Sequence, residues 1–174
     1  MSPTVAGLYY KGNNNLRVRV DSCPVHTRRP IGEGSAAMKL EAQWIVGFVD
    51  GEGCFHVGIN RHPDMKAGYQ VLPEFTVVQH ERDLQILHAL KAYFGCGVVR
   101  SNHGNRKAYR VRSQQHLLEH IIPFFEKHQL KTKKAVDFRK FRRILLMMEK
   151  KEHLIAGGLE KIREITEDMN RSAP

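Results

Sequence analysis

From residue 39 onward, apolar residues recur every three or four positions in several stretches, which is the spacing of one face of a helix. In the first stretch Trp44, Ile45 and Phe48 stand at helical spacing, and the glycines of the sequence DGEG predict the end of that helix. The same spacing predicts further helices over 83–94, 114–122, 132–149 and 158–169. Pro123 is expected to end the helix at 114–122.

Alternation of apolar and polar residues, the pattern of a half-buried strand, appears in two pairs of segments. The segments CFHVGINR and QVLPEFTVVQ are separated by the turn-forming residues 62–68, which predicts a long hairpin. The segments 98–102 and 107–113 flank the short turn HGN. The order helix, two strands, helix, two strands, helices predicts an α+β domain in which one antiparallel sheet packs against helices on one face.

The other face of this sheet is expected to be polar and rich in arginine. From residue 100 to 112 there are five cations and no acid. Arg, Asn and Gln are the side chains that pair with guanine and adenine edges in the major groove. A polar strand face is often only hydrated, so hydration and DNA recognition both fit the pattern. The candidate DNA-contacting residues are His56, Asn60, Gln70, Glu74, Thr76, Arg100, Asn102, Arg106, Lys107, Arg110 and Arg112.

The composition narrows the expected function. The 174 residues include 28 Lys and Arg against 18 Asp and Glu, a formal net charge of +10, which makes a polyanion such as nucleic acid the expected partner. Apolar residues make up 41%, enough for a folded core. No apolar run approaches the roughly 18 residues of a membrane-spanning helix. Three cysteines without a C-x-x-C spacing argue against a cysteine zinc site and a disulfide scaffold, which favours a reducing compartment.

Residues 1–38 differ from the rest of the chain, because they carry clusters of Gly, Pro and Asn and little helical periodicity. They predict a loosely ordered arm, followed by a domain over 39–170 and a short tail over 171–174. The first residues lack the apolar segment of a secretory signal. Together with the cysteines, this predicts an intracellular protein, in the cytoplasm with the nucleoid or in an organellar stroma or matrix.

The segment IVGFVDGEG, residues 45–53, carries the most specific chemical signal. Gly47 and Gly51 lie four residues apart on one helix face, a spacing that allows two helix backbones to approach closely. An acidic residue, Glu52, follows directly. The pattern predicts a helix that packs against a copy of itself and presents a carboxylate at its end. A helix that simply ends in glycine has the same signature.

IVGFVDGEG resembles the signature of the LAGLIDADG homing endonucleases, whose members use this helix both as a dimer interface and as part of the active site. The resemblance continues in FTVVQ, VVRSNHGNRKAYRVR and IIPFFEKHQLKTKKA, which are similar to later segments of the family in the same order, over about 40–165. A single motif is typical of the members that act as homodimers. The resemblance implies the family's αββαββα fold, in which the antiparallel sheet forms a saddle on DNA and the helices pack behind it.

This resemblance also implies roles for individual residues. Glu52 would bind a divalent metal beside the scissile phosphate, together with the main-chain carbonyl of Gly51. Gln79 would orient the attacking water, Lys131 would stabilise the developing charge, and Arg82 would add a further cation. Mg²⁺ fits these oxygen ligands, and Mn²⁺ is the implied substitute.

The dimer interface that the resemblance implies lies on the signature helix. Val46 stands where the family has a small residue, which predicts a slightly looser contact between the two helices. The implied interface residues are Trp44, Gly47, Phe48 and Gly51.

Together these roles imply a homodimeric, metal-dependent endonuclease that cleaves double-stranded DNA at a long pseudo-palindromic site, leaves short 3′ overhangs and propagates a mobile intron. A second class stays open: a protein of the same fold that binds DNA, or its own intron RNA, without cutting, as a splicing maturase or a transcription regulator. The pattern H-x-x-E-H at 116–120 has a spacing that can bind zinc. A zinc peptidase also needs a third ligand and a substrate cleft, so we interpret the pattern as a surface pair of histidines before an apolar turn.

Overall fold

A computed structural model describes residues 38–169, and the structural statements below concern this range. The predicted arm, apart from Met38, and the predicted tail lie outside the described residues. Within the described range the chain forms a helix, a hairpin, a helix, a second hairpin and then further helices. The predicted α+β fold class is confirmed.

The boundaries of the elements agree closely with the sequence pattern. The strands are β1 (Gly53–Arg61), β2 (Tyr69–His80), β3 (Val98–Ser101) and β4 (Arg106–Val111). The helices are α1 (Ala42–Glu52), α2 (Leu84–Phe94), α3 (Gln114–His116), α4 (Ile122–Lys127), α5 (Lys134–Glu149) and α6 (Ala156–Glu167). A π-helical turn, Leu117–Ile121, joins α3 to α4, and short 3-10 turns cover Glu81–Asp83 and Glu152–Leu154.

The four strands form one antiparallel sheet in the order β1-β2-β4-β3. All nine residues of β1 pair with β2, from Gly53 opposite Val77 to Arg61 opposite Tyr69. The pairing of β4 with β2 covers only 75–80. The distal half of the β1–β2 hairpin is therefore a two-stranded arm that extends beyond the rest of the sheet.

The helices cover one face of the sheet and build an aromatic core. Phe55 and Phe75 of the hairpin and Phe125 and Phe141 of the helices are all at most 1% exposed. The ring of Phe55 lies 5.2 Å from that of Phe75, 5.6 Å from Phe125 and 5.4 Å from Phe141, between centroids. Stacked and edge-on contacts of this kind add to the free energy of burial. The core holds the sheet rigid while its opposite face stays open.

Helical structure continues past Pro123 to Lys127, so the prediction that Pro123 ends the helix is wrong. Proline has no N–H to donate to the carbonyl four residues earlier, and in a regular helix this loss is destabilising. Here the π-helical turn at 117–121 changes the hydrogen bonding before the proline. Pro123 thus occupies the first turn of α4, where its N–H is not required.

The two-stranded arm is supported at its far end by the last helix. The guanidinium of Arg163 on α6 lies 4.3 Å from the ring centroid of Tyr69 on β2, a cation–π contact. Hydrogen bonds from Arg163 and Arg61 lower the pKa of the Tyr69 phenol. An isolated two-stranded hairpin is only marginally stable in water, so this contact stabilises the position of the arm.

Candidate active site and nucleic-acid interface

Helix α1 passes directly into strand β1, without a loop. A Cβ atom at Gly53 would lie 2.5 Å from Val49 Cγ1 and 2.9 Å from the Val49 carbonyl oxygen, so glycine is needed for this abrupt change of direction. Glu52 is exposed at the junction. The carbonyl groups of the last helical turn, including that of Gly51, have no donors further along the helix. The chain thus presents a carboxylate and carbonyl oxygens at one point.

Asp50 connects this junction to a segment 81 residues later in the chain. Its carboxylate accepts hydrogen bonds from the Lys131 N–H at 2.8 Å, from the Thr132 N–H at 3.3 Å and from Thr132 Oγ1 at 2.8 Å. Thr132 Oγ1 in turn accepts a hydrogen bond from the Lys134 N–H, at 3.2 Å, at the start of α5. A carboxylate near a helix C-terminus is disfavoured by the helix dipole. The three donors explain why Asp50 is stable there.

Lys134 places a positive charge against the end of α1. Its ammonium donates a hydrogen bond to the Gly53 carbonyl and lies 3.5 Å from the Gly51 carbonyl oxygen. A cation is favoured at a helix C-terminus because the unpaired carbonyls there carry partial negative charge. The same oxygens are therefore suitable ligands for a metal cation.

The residues at the junction fit a magnesium ion. The Glu52 carboxylate and the Gly51 carbonyl are hard oxygen donors, and Mg²⁺ is commonly held by one or two carboxylates while it keeps several waters and contacts a substrate phosphate. Within residues 38–169 no group of three or more His, Cys, Asp or Glu side chains could hold a metal. The donor set thus suits an ion whose remaining ligands are water and phosphate.

Two more of the predicted catalytic residues lie at the same end of the sheet. Gln79 is on β2, two positions beyond Val77, which pairs with Gly53, the first residue of β1. Gln79 therefore extends past the start of β1 towards the region where α1 ends, and it is half-buried. Lys131 is exposed and is attached to the same region through Asp50. The structure brings Glu52, Gln79 and Lys131 to one end of the sheet.

Arg82 lies just beyond this group. It is exposed in the 3-10 turn that follows β2, and its backbone N–H donates to His80 Nδ1 at 3.2 Å. Its side chain is therefore carried by a turn at the end of β2 rather than by the sheet itself.

The strand register collects most of the predicted DNA-contacting residues on the open face of the sheet. His56 lies opposite Glu74, Asn60 opposite Gln70, and Thr76 opposite Arg110. Ten of the predicted DNA-contacting residues alternate onto this face: His56, Asn60, Gln70, Glu74, Thr76, Arg100, Asn102, Arg106, Arg110 and Arg112. This surface, called the open face below, carries four arginines on the β3–β4 half of the sheet.

Lys107 is separated from these ten residues. Its side chain lies on the same face of β4 as those of Tyr109 and Val111, which are buried against the helices. Its ammonium donates to Ser101 Oγ at 3.1 Å, and its strand partner on β2 is Gln79. The structure therefore places Lys107 on the helix side of the sheet, beside Gln79, and not on the open face.

The exposed side of α1 carries an aromatic pair and two glycines. Trp44 is 43% exposed and stacks on Phe48 with 4.7 Å between ring centroids. A Cβ atom at Gly47 or Gly51 would meet nothing within 4 Å. Val46 is only 3% exposed and belongs to the core of its own chain, so the prediction that it loosens a helix contact is wrong.

The histidine pattern on α3 and the following turn shows no further metal ligand. The rings of His116 and His120 lie 5.9 Å apart between centroids, and both side chains are exposed. The carboxylate of Glu119 accepts a hydrogen bond from Gln115 at 2.9 Å. Since no third ligand joins the two histidines among residues 38–169, they form a surface pair.

The sequence pattern does not reveal Asp50, Thr132 or Lys134 as parts of this site. Asp50 offered one signal, because a carboxylate in the last turn of a helix is unfavourable unless it has donors. The partners of that carboxylate, however, follow the signature by about 80 residues and could not be identified without the fold.

Comparisons with known proteins agree with this geometry. The family model described as LAGLIDADG endonuclease matches residues 45–145. A probable intron-encoded endonuclease 2 of Neurospora crassa is 32% identical over 124 residues, 70% of this chain and 26% of the relative. The chain spans about a quarter of the length of the first curated relatives that it matches.

Solved structures extend the similarity to three dimensions. The crystal structure of the homing endonuclease I-TnaI is 60% identical in sequence, with a TM-score of 0.75, over 78% of this chain and 92% of that chain. The crystal structure of I-SmaMI bound to cleaved DNA is 36% identical, also with a TM-score of 0.75, over 78% of this chain and 46% of that chain.

Proposed function

Because this chain belongs to the LAGLIDADG endonuclease family, we propose that it is a site-specific endonuclease that cuts both strands of a long DNA target by metal-dependent hydrolysis. The observation that supports this activity best is the hydrogen-bonded link between Asp50 and Lys131. It holds a lysine against the helix turn that carries Glu52, at the end of a sheet whose open face carries four arginines. Its biological role would be the propagation of a mobile intron, in the cytoplasm or organelle whose genome carries the gene.

In the proposed reaction each residue at the junction has a separate task. Glu52 and the Gly51 carbonyl would hold the divalent ion. When bound, Mg²⁺, or Mn²⁺ in its place, supplies Lewis-acid stabilisation of the phosphate charge and favours deprotonation of the attacking water. The Gln79 amide, which can both donate and accept hydrogen bonds, orients this water. The Lys131 ammonium stabilises the charge that develops on the phosphate, and Arg82 adds positive charge nearby.

Cleavage of two strands requires two such sites, and each chain carries one signature helix. We propose that two copies pack their α1 helices against each other along Trp44, Gly47, Phe48 and Gly51. Glycine at both positions removes the side chains that would keep the two backbones apart. This arrangement brings the two Glu52 carboxylates close together, where positive metal ions offset their repulsion.

The length of the hairpin sets the size of the proposed target. The 12 residues of β2 extend about 40 Å at about 3.3 Å per residue, slightly more than one turn of B-DNA. Each copy would then contact a half-site of about ten base pairs, and the two-fold symmetry of a dimer implies a pseudo-palindromic target. Cuts on the two strands are proposed to leave short 3′ overhangs.

The proposal is tested by incubating a library of randomised DNA duplexes with the protein and Mg²⁺, next to the same reaction with EDTA. Sequencing of the ends is expected to show cuts in both strands at one family of related sites, and no cuts with EDTA. Specific binding with no cleavage in Mg²⁺ or Mn²⁺ would instead support the alternative, a DNA- or RNA-binding protein that acts in splicing or regulation. Absence of both binding and cleavage would overturn the proposal.

Asp50 is expected to be a positioning residue for Lys131. Replacing Asp50 with Ala removes the acceptor of two backbone N–H groups, so the segment at 131–132 should lose its fixed position. We expect kcat to fall about 10- to 100-fold with little change in KM for DNA, since loss of a supporting contact of this kind has such effects. Asp50→Asn, which keeps one acceptor oxygen, should give an intermediate kcat. The expectation is wrong if KM rises while kcat stays unchanged.

Arg110 lies on the open face and is expected to affect the choice of bases more than the chemistry. Arginine recognises guanine through two hydrogen bonds, worth about 1–3 kcal/mol of discrimination. The variant Arg110→Ala should therefore cleave substituted targets at nearly the rate of the original target. Cleavage rates on a panel of targets with single-base substitutions measure the base preference of the variant. An equal loss of turnover on every member of the panel would argue against base recognition by Arg110.

A further inference from the structure

One carboxylate lies on the open face among the arginines. Glu74 is near the middle of β2, opposite His56 on β1 and diagonal to Arg110 on β4. The other described residues that alternate onto this face are neutral or basic. An acid in such a place repels DNA phosphates, so it lowers affinity unless it does something else.

The contacts of Glu74 indicate its role on the open face. Its Oε2 accepts a hydrogen bond from Arg112 Nε, and its Oε1 lies 3.7 Å from Arg110 Nε. The side chain of Glu74 is only 14% exposed, whereas that of Arg112 is 66% exposed. Both carboxylate oxygens thus face an arginine, and the arginines cover the acid from solvent. This arrangement does not suit the predicted direct contact between Glu74 and a DNA base.

Glu74 approaches both arginines at Nε, the guanidinium nitrogen nearest the backbone. Arg112 bonds to Glu74 through Nε, and this bond uses neither of its two terminal Nη groups. Arg110 donates a hydrogen bond from Nη2 to Asn102 Oδ1 at 3.2 Å, and it forms an ion pair with Glu74 without a hydrogen bond to it. Recognition of guanine uses two parallel N–H groups of one guanidinium, directed at O6 and N7.

We propose that Glu74 is a specificity-determining positioning residue, which holds Arg110 and Arg112 in the orientation that recognises guanine edges in the major groove. This inference rests on the proposed function. A guanidinium that is fixed before binding loses less conformational freedom when it binds. The charge of Glu74 also weakens non-specific contacts with phosphate, so the same residue raises selectivity in two ways.

The test is the variant Glu74→Gln, which keeps the size of the side chain and removes its charge. The probe is the duplex that the wild-type protein selects from the randomised library, measured by fluorescence anisotropy in Ca²⁺ at fixed salt. We expect affinity for this duplex to fall about 10- to 100-fold, while affinity for an unrelated duplex stays equal or rises. Substituting 7-deazaguanine, which lacks N7, for guanines of the target should weaken the wild-type protein and leave Glu74→Gln unaffected.

Glu126→Gln is the matched control. Glu126 on α4 also accepts a hydrogen bond from the Nε of an arginine, Arg142 on α5, so the two variants lose the same charge and the same type of contact. This pair lies on the helices and not on the open face. The control should keep wild-type affinity for the selected duplex and wild-type sensitivity to 7-deazaguanine.

A double-mutant cycle with Arg112→Gln separates positioning from a general loss of structure. If Glu74 acts partly through Arg112, the loss of affinity in the double variant should be clearly smaller than the sum of the losses in the two single variants. Additive losses in a variant with a wild-type thermal midpoint would overturn the inference.

The experiment also distinguishes this inference from the proposed function. If the wild-type protein shows no sequence preference among duplexes, the proposed function fails, and the inference fails with it. If the wild-type protein is selective and Glu74→Gln keeps both its selectivity and its response to 7-deazaguanine, only the role of Glu74 is overturned.

Discussion

Replacing Glu52 with glutamine is expected to reduce DNA cleavage by on the order of 10³-fold or more, while target affinity stays within about threefold of the wild type. Glutamine has the same shape but no charge, and a neutral amide is a poor ligand for Mg²⁺. Binding should persist because Glu52 is exposed at the end of α1 and is not among the residues of the open face. Loss of an acid near phosphate also reduces repulsion.

Cleavage of the selected duplex in Mg²⁺ and its binding in Ca²⁺ measure these two quantities separately. Glu41→Gln is the control, since Glu41 is an exposed carboxylate at the opposite end of the same helix. This variant should cleave at the wild-type rate. Cleavage by Glu52→Gln at a rate near that of the wild type would show that the carboxylate does not hold the metal.

Replacing Gly47 with leucine is expected to give a folded monomer that no longer cuts both strands of its target. A Cβ atom at this position meets nothing within 4 Å in the single chain. Leucine is also a better helix former than glycine, by about 0.5–1 kcal/mol, so the free energy of unfolding of the monomer should be unchanged or higher. The same side chain would occupy the space into which the α1 helix of a second copy must pack.

Sedimentation equilibrium, with and without the selected duplex, measures the oligomeric state, and thermal unfolding measures the stability of the fold. Gly157→Leu is a matched control. Gly157 is also an exposed helical glycine whose Cβ would meet nothing within 4 Å, but it lies on α6. The control should resemble the wild type in mass and activity. A Gly47→Leu variant that sediments as a dimer and cuts both strands would refute the proposed interface.

Both expected results follow from the division of α1 into two sides. Ile45, Val46 and Val49 are buried in the core of the chain. Trp44 and the two glycines lie on the exposed side. The buried side holds the helix against the sheet, so substitutions on the other side can change assembly and chemistry while the fold is retained.

Much of this architecture follows from local patterns in the sequence. A period of two residues predicted the strands and the side of the sheet on which the arginines lie, because successive side chains of a strand point to opposite faces. The same rule applied to Lys107 would have placed it with Tyr109 and Val111, away from the open face. The glycines of DGEG likewise predicted a helix end, and the structure needs Gly53 where the chain turns from α1 into β1.

Other features depend on residues that are distant in sequence, and these only the tertiary structure decided. The continuation of helical structure past Pro123 depends on a π-helical turn that apolar spacing does not signal. The bonds of Asp50 to Lys131 and Thr132 and the contact of Glu74 with Arg112 join residues 81, 82 and 38 positions apart. Periodicity reports which side of an element is buried, because burial repeats with the geometry of that element. It carries no information on which polar groups meet when separate elements pack, and it is such a pairing that joins the Lys131 backbone to Asp50 on α1.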